Sequence, residues 1–581
     1  MSTLDLSAEQ LSALKEDVVL LEACPGSGKT RTIVQRFKKT ASESNRGVAL
    51  LSFTNAAVDE ASSRCADQPG LLKSPNFVGT FDSFIHRYIV TPILTSTLGK
   101  APTYVESWAS LSVPTTKRLW GQEGRGIDLS SFHHDVQGRI FLDTDSLQRK
   151  QESYFLGLKT DGDRRKLEQQ CVDMICGLNE KGIFDCDSAR AKALAILRSD
   201  QGESLLLRLS RRFQEVMIDE FQDCSSIEHE IIKLLAASGI HVLVVADPDQ
   251  AIYEFRGATA ELYSGYRSLT PETSRRALVE NYRSTPPICE LLTSIRTGRK
   301  TVVSAGSFIK PTPTHIFLIV GSGDRLGSRF RKLADEWTIE PNERIALAHS
   351  ATDARKLGSG VAAAPTGVAL ATRILVSLGH LRQKRSPSDR RKTVIKLETA
   401  LLSVFDWPEH LLNEDNQVKI AHLGKEPKWL RLVIGRLVHE SKKWTDAATC
   451  KASMVLLLEQ EFSSHTVGLG RSSIKQKLSQ VRPDAWAFWS ASKTSGIDNE
   501  TLQWSTIHGA KGNEYDAVLL EVPSKAAEEA WVSDLASEEK RVFYVGASRA
   551  RKLLAIATPK SRLKSLKSNL DDFGVKYVVL A

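Results

Sequence analysis

Residues Glu22 to Thr32 read EACPGSGKTRT, so Gly26, Ser27 and Gly28 stand directly before Lys29 and Thr30. Backbone N–H groups at three such small positions can turn inward where larger side chains would obstruct them, and a helix starting at Lys29 adds positive potential. The chemistry this permits is phosphate binding, with Lys29 reaching the β- and γ-phosphates and the Thr30 hydroxyl coordinating Mg²⁺. Ala23 occupies the first position of the usual G-x-x-x-x-G-K-[ST] pattern. It is small and ends the preceding apolar run, so Ala23, Cys24 and Pro25 are expected to complete the loop despite the departure.

A glycine loop alone arises by chance; hydrolysis also needs carboxylates. VMIDEFQD (216 to 223) supplies them at the end of an apolar run: Asp219 for the Mg²⁺ shell and Glu220 to orient or deprotonate an attacking water. Lys29 and Asp219 are about 190 residues apart in the chain, a separation that implies an inserted subdomain within one nucleotide-binding core.

The elements that must position these groups are legible as short apolar, β-branched runs alternating with helical patterns. VVLLEAC (18 to 24), VALLSFT (48 to 54), NFVGTF (76 to 81), EVMIDE (215 to 220) and HVLVVAD (241 to 247) read as buried parallel strands. HIFLIV (315 to 320), RIALAHS (344 to 350), AVLLEVP (517 to 523) and LLAIATP (553 to 559) form a second set. The fold class is therefore α/β with two cores, each interrupted by a less regular, mainly helical segment, from about 92 to 212 and from about 355 to 495. The second insertion contains RQKRSPSDRRK (382 to 392), read as a solvated loop.

Length and composition agree. A chain of 581 residues with 41% hydrophobic and 25% charged residues is globular, with about three to five domains or subdomains. A net charge of +9 favours polyanionic partners. No apolar run approaches the roughly 18 residues needed to cross a bilayer, and MSTLDLSAEQ lacks a basic region followed by an apolar core, so no membrane partner and a cytoplasmic location are expected. Eight scattered cysteines read as reduced thiols; Cys171, Cys176 and Cys186 form the sole local group and have no fourth thiolate nearby for a cluster.

Further motifs say what the nucleotide would drive. LSFTNAAVDE (51 to 60), GTFDSF (79 to 84), ADPDQAIYEFRGA (246 to 258), LVENYRST (278 to 285), STIHGAKGNEYD (505 to 516) and EEKRVFYVGASRARK (538 to 552) follow in order. With the loop and the carboxylates, they resemble superfamily 1 helicases of the UvrD/Rep/PcrA type. The resemblance implies two RecA-like P-loop motor domains with parallel sheets and helical insertions: 1–91 with 213–275 (1A), 92–212 (1B), 276–354 with 496–581 (2A), and 355–495 (2B). ATP and Mg²⁺ would lie at the motor cleft and single-stranded DNA across its top.

Carried over by position, the resemblance implies that Gln10 reads adenine, Arg31 and Tyr282 flank the base and Glu514 contacts the ribose. Gln250 would sense the γ-phosphate, while Arg283 and Arg549, arriving from the second domain, would be arginine fingers. Phe53, Asn55, Thr80, Phe81, Tyr253, Phe255, Arg256 and His508 would contact DNA, the aromatics stacking on bases. Asp82 stands where the family often has histidine, Ala246 for glycine, Asn513 for an apolar residue and Ser548 for threonine. None of these departures removes a group of the phosphate chemistry; they bear on DNA contact and on its coupling to ATP.

FVGTFDSFIHRYIVTPI (77 to 93) and the compact length look like the UvrD-like partner proteins of prokaryotic antiviral systems, such as the helicase component of Gabija. Two readings stay open. One is a 3′–5′ DNA translocase and helicase acting in repair, recombination or antiviral defence on single-stranded or partly duplex DNA. The other is a DNA-sensing ATPase that regulates a nuclease or other effector without processive unwinding. A fused nuclease is disfavoured, because the chain ends about 30 residues after its last strong motif and no spare acidic cluster is evident.

Overall fold

A computed structural model describes residues 6–580 except 106, 109–115, 118, 120–125, 145–146, 148, 159, 253–259, 309–310, 322–324, 359–368, 383–386, 408–410, 412–415, 463–469, 472–473, 479–480 and 493–501. The expected DNA contacts Tyr253, Phe255 and Arg256 lie outside the described residues. The chain divides into two compact units, Met1–Phe308 with Ser524–Ser548 and Ile309–Pro523 with Arg549–Ala581.

The first unit is built on six parallel strands: β1 (Leu20–Ala23), β2 (Gly47–Ser52), β3 (Phe77–Thr80), β4 (Phe213–Ile218), β5 (His241–Ala246) and β6 (Arg275–Leu278). Their order is β6-β1-β5-β4-β2-β3. Successive side chains of a strand leave opposite faces of the sheet. Thus Leu20, Ala49, Leu51, Val216, Ile218 and Val244 feed one core cluster while Leu21, Val48, Leu50, Met217, Leu243 and Val245 feed another. Burial on both faces is why the inner strands read as unbroken apolar runs.

The insertion after β3 is mainly helical, with Asp161–Glu180, Cys186–Leu197 and Asp200–Arg212 its longest helices, and it also holds short strand pairs such as Phe132–His134 with Ile140–Leu142. Arg190 fastens it to the sheet-bearing core. Its guanidinium donates to both oxygens of Asp82 at 2.7 and 2.8 Å and lies 3.1 Å from Glu228. Asp82, the departure from the family's histidine, is thereby an anchor for the insertion.

The second unit has its own six parallel strands: β7 (Ile316–Val320), β8 (Arg344–Ala348), β9 (Gln503–Thr506), β10 (Tyr515–Glu521), β11 (Ala550–Thr558) and β12 (Tyr577–Leu580), in the order β9-β8-β10-β11-β7-β12. Between β8 and β9 a set of helices from Leu370–Arg382 to Pro483–Ala491 packs around Leu375, Leu401, Phe462, Trp444 and Trp489. The basic stretch 382–392 is not simply a loop: Pro387 opens a helix that runs to Leu402, with proline at the position where a missing N–H costs least, and 383–386 lie outside the described residues. No helix among the described residues is long and apolar enough to cross a membrane.

The expected domain boundary after residue 275 falls on the first residue of β6. Because β6 pairs with β1 from Leu20↔Arg275 to Ala23↔Leu278, the first unit continues past it to Phe308.

Replacing Arg190 with alanine removes the cation from Glu228, which is 2% exposed. Breaking a buried pair in this way costs about 3–5 kcal/mol. Amide exchange across Cys186–Leu197 should accelerate by roughly a hundredfold or more if this pair anchors the helix; unchanged protection there would show that it does not.

Candidate nucleotide site

The parallel sheet delivers the C-terminal ends of β1, β4 and β5 to one edge, and β5 lies between the other two. Beyond β1, Gly26 (φ +70°) and Gly28 (φ +75°) both take left-handed conformations, and Gly28 caps the helix Lys29–Glu43. The loop is crowded from outside. A Cβ on Gly26 would sit 2.5 Å from Arg283 Cβ, and one on Gly28 would sit 2.6 Å from Gln10 Nε2. Gln10 Nε2 donates to Ser27 O at 2.8 Å, Ser27 Oγ donates to Cys24 O at 2.8 Å, and Tyr282 N–H donates to Gly26 O at 2.9 Å. These bonds preform a cradle whose inner surface is backbone, which fits a phosphate chain.

Lys29 Nζ lies 3.2 Å from Asp219 Oδ1 and is also hydrogen-bonded to Glu220 Oε1. The three side chains are 14%, 7% and 24% exposed, so this is a largely desolvated cluster of one cation and two anions. Burial disfavours the Lys29 charge, but Asp219 and Glu220 outweigh it and hold the ammonium above its ordinary pKa. Burial pushes the Asp219 carboxyl up to about 6 despite the opposing pull of Lys29. Glu220 is held in the left-handed region, at φ +57°, where a side chain carries strain; such strain recurs where geometry serves function.

Thr30 and Asp219 share the wall of a small cavity with Ser52, whose buried hydroxyl has no hydrogen-bond partner among the described residues. Thr30 and Asp219 carry oxygens of the type Mg²⁺ takes, while the rest of that wall, Ile33, Val34, Leu50, Ala57, Val58, Ala61 and Val78, is apolar. Thr30 and Asp219 would hold that ion, which would supply charge neutralisation at the phosphates.

A second layer was not anticipated from the motifs. Gln222 donates through Nε2 to Glu220 Oε2 and accepts through Oε1 from Asp247 N–H at 3.0 Å, so it spans the ends of β4 and β5. Asp247 is fully buried; it accepts from Gln250 Nε2 at 2.8 Å and from Tyr544 OH at 3.3 Å. Arg296 stands 3.8 Å from Asp247 and 3.1 Å from Asp249. Burial pushes the Asp247 carboxyl up, against the opposing pull of Arg296. The signal available in sequence was Asp247 directly after β5 and Gln222 four residues beyond the end of β4.

The remaining expected residues fall as follows. Arg283 belongs to the first unit, beside Gly26, and its Nη1 donates to Ser548 O at 3.1 Å. It was expected to arrive from the second domain; the grouping follows from β6, which carries the chain leading to it along β1. Arg549 belongs to the second unit, where its Nη1 donates to Asn513 O at 3.4 Å. Arg31 is half-buried one residue beyond Thr30, and Tyr282 is 42% exposed with its hydroxyl bonded to Glu280. Both ends of the Gln10 amide are engaged, Oε1 by Ser7 N–H and Nε2 by Ser27 O. Glu514 is exposed in the second unit.

Of the expected DNA contacts, Asn55 is exposed and Phe53 half-buried. Phe81 is 1% exposed and stacks behind Phe53 at 5.6 Å, so it backs that ring and has no face of its own for a base. Thr80 caps the helix Phe81–Ile85, accepting from Ser83 N–H at 3.1 Å. His508 is half-buried in the second unit, 5.9 Å from His349.

Two six-stranded parallel sheets, the first bearing this loop and carboxylate pair, define a P-loop protein with two RecA-like domains. Residues 6–270 match the UvrD/REP helicase N-terminal domain and residues 471–561 the UvrD-like helicase C-terminal domain, together more than half of the chain. The chain belongs to the UvrD-like helicase family.

Among its relatives, DNA helicase II of Escherichia coli K12 is 26% identical over 298 residues, 49% of this chain and 39% of the relative. The putative ATP-dependent DNA helicase YjcD of Bacillus subtilis is 27% identical over 301 residues, 49% of this chain and 37% of the relative. The ATP-dependent DNA helicase PcrA of Staphylococcus aureus Mu50 is 27% identical over 297 residues, covering 49% and 38%. The match thus spans about two-fifths of the length of these relatives.

A Gly28→Ala protein must place a Cβ at positive φ, which costs roughly 1–2 kcal/mol, and must also displace Gln10. Titration with a fluorescent ATP analogue should show affinity lowered about tenfold or more; unchanged affinity would mean that this loop does not hold the nucleotide.

Proposed function

We propose that this chain is an ATP- and Mg²⁺-dependent motor that moves 3′ to 5′ along single-stranded DNA and separates duplex ahead of it. The observation that carries the reading is the convergence of Lys29, Asp219 and Glu220 at the sheet edge beside the phosphate cradle. Lys29 binds the β- and γ-phosphates and Glu220 aligns the attacking water. Gln250, tied to Asp247, responds to the γ-phosphate. Arg31 and Tyr282 flank the adenine, Gln10 reads its edge and Glu514 holds the ribose. Arg283 and Arg549 neutralise the charge that spreads over the phosphoryl oxygens, so hydrolysis is coupled to closure of the two RecA-like domains. Phe53, Asn55, Thr80 and His508 contact the strand, with Phe81 supporting Phe53. The direction of movement rests on family resemblance.

The test is ATP turnover with and without single-stranded DNA. Lys29→Ala should abolish stimulated turnover, and its retention would end the assignment. Arg549→Ala should lower kcat by about 10³ to 10⁵, the usual effect of losing an arginine finger, with nucleotide affinity little changed. Gln222→Leu, which cuts the link from Glu220 to Asp247, should lower turnover roughly 10- to 100-fold, as loss of a supporting group commonly does. A strand-displacement assay completes the comparison: stimulated turnover without unwinding would instead favour a DNA-sensing ATPase that signals to an effector.

A further inference from the structure

Six cations of the first unit gather at the sheet edge opposite the nucleotide site. Arg46 precedes β2, Lys73 precedes β3, Arg87 follows β3, and Arg208, Arg211 and Arg212 lie in the last turns of the helix that leads into β4. Direct contacts place the elements together. Arg46 Nη1 donates to Ser210 O at 3.1 Å, and Arg212 Nη2 lies 3.4 Å from Pro75 O and 3.5 Å from Tyr88 OH. The guanidinium groups of Arg87 and Arg212 stand 5.4 and 5.1 Å from the Tyr88 ring. From Phe213 to Ile218, β4 is six residues long, which puts this edge roughly 20 Å from Asp219 at about 3.3 Å per residue.

None of the six makes a salt bridge among the described residues. Acids near them in sequence are engaged elsewhere, Asp67 with Lys38, Asp82 with Arg190 and Glu215 with Arg36. Among the described residues, Glu43 adds negative charge from the helix before β2, and Asp200 and Glu203 add it from the far end of the helix before β4. The C-terminal dipole of helix Asp200–Arg212 accounts for a preference for Arg211 and Arg212 there, but not for Arg46, Lys73 and Arg87, which come from other elements. Like charges on neighbouring elements repel one another, and a polyanion relieves the repulsion.

We propose that this edge is a second nucleic-acid contact and that it takes the phosphate backbone of duplex DNA. A stacking channel for single strands requires aromatic faces open to bases. Tyr88, flanked by two guanidiniums and half-buried, offers none. Cations without base platforms position a backbone and read no sequence. The proposal rests on the DNA-motor reading for its choice of polymer, but its measurement needs no nucleotide, so the two can fail separately.

The experiment compares the full chain with a Lys73→Ala, Arg208→Ala, Arg211→Ala triple variant, using fluorescence anisotropy of a labelled blunt duplex across a salt series. Each phosphate neutralised contributes about 0.9 to the slope of log affinity against log salt, so the triple variant should bind duplex more weakly with a slope flatter by roughly 2 to 3. Turnover stimulated by single-stranded DNA should be unchanged, which also shows that the variant is folded. As a second variant, Arg211→Glu should weaken duplex binding more than Arg211→Gln, a ranking that a packing defect does not produce. An unchanged slope overturns the proposal. So does binding of a labelled polyglutamate peptide that the triple variant loses while duplex binding persists, because that result assigns the surface to an acidic protein segment.

Discussion

The first unit depends on one electrostatic constraint: an ammonium and two carboxylates share a site with little water. Lys29, Asp219 and Glu220 would each be costly to bury alone, since an isolated ion loses several kcal/mol of hydration. Together they are tolerable only in close register. The loop after β1 and the turn after β4 must therefore reach the same sheet edge, with β5 between them. The left-handed backbone of Glu220 is a local strain held in place by that requirement, while Gly26 and Gly28 take the same region without steric cost.

The polar groups behind the cluster extend its reach. Gln222 ties Glu220 to the backbone of Asp247, and Asp247 in turn meets Gln250, Arg296 and Tyr544. Arg541 Nε donates to Ala251 O at 2.6 Å, fixing the helix Glu538–Ala547 against the turn that carries Gln250. A buried network of this kind is stable only when every member is satisfied, and here it joins Glu220 through Asp247 to the helices Pro286–Ile295 and Glu538–Ala547. Glu22 adds another tether: on the strand before the loop it accepts from Tyr263, Arg267 and Lys300. Against the cost of burial, those donors hold its carboxyl below the ordinary range.

The inner strands were readable because of where they lie. Runs such as HVLVVAD and HIFLIV are buried on both faces, and that burial demands continuous apolar residues. The strands that escaped reading are β6, β9 and β12, with sequences RRAL, QWST and YVVL; each is an edge strand and partly exposed. An edge needs only one neighbour and tolerates polar side chains, so composition marks it weakly. The resemblance puts a boundary after residue 275, on the first residue of β6, whereas the first compact unit runs on to Phe308 and includes Arg283.

The sequence by itself determined the chemistry at the loop: glycines where only backbone fits, a lysine and a threonine after them, and paired acids at the end of a buried run. These are local requirements, written in residue type and short spacing. Tertiary structure alone decided that Gln222 and Asp247 complete the site, that Phe81 is core behind Phe53, that Asp82 grips Arg190, and that Arg46, Lys73, Arg87 and the arginines of 208–212 share one edge. Such pairings join residues tens to hundreds of positions apart. They follow from strand order and register, which no local pattern of side chains encodes.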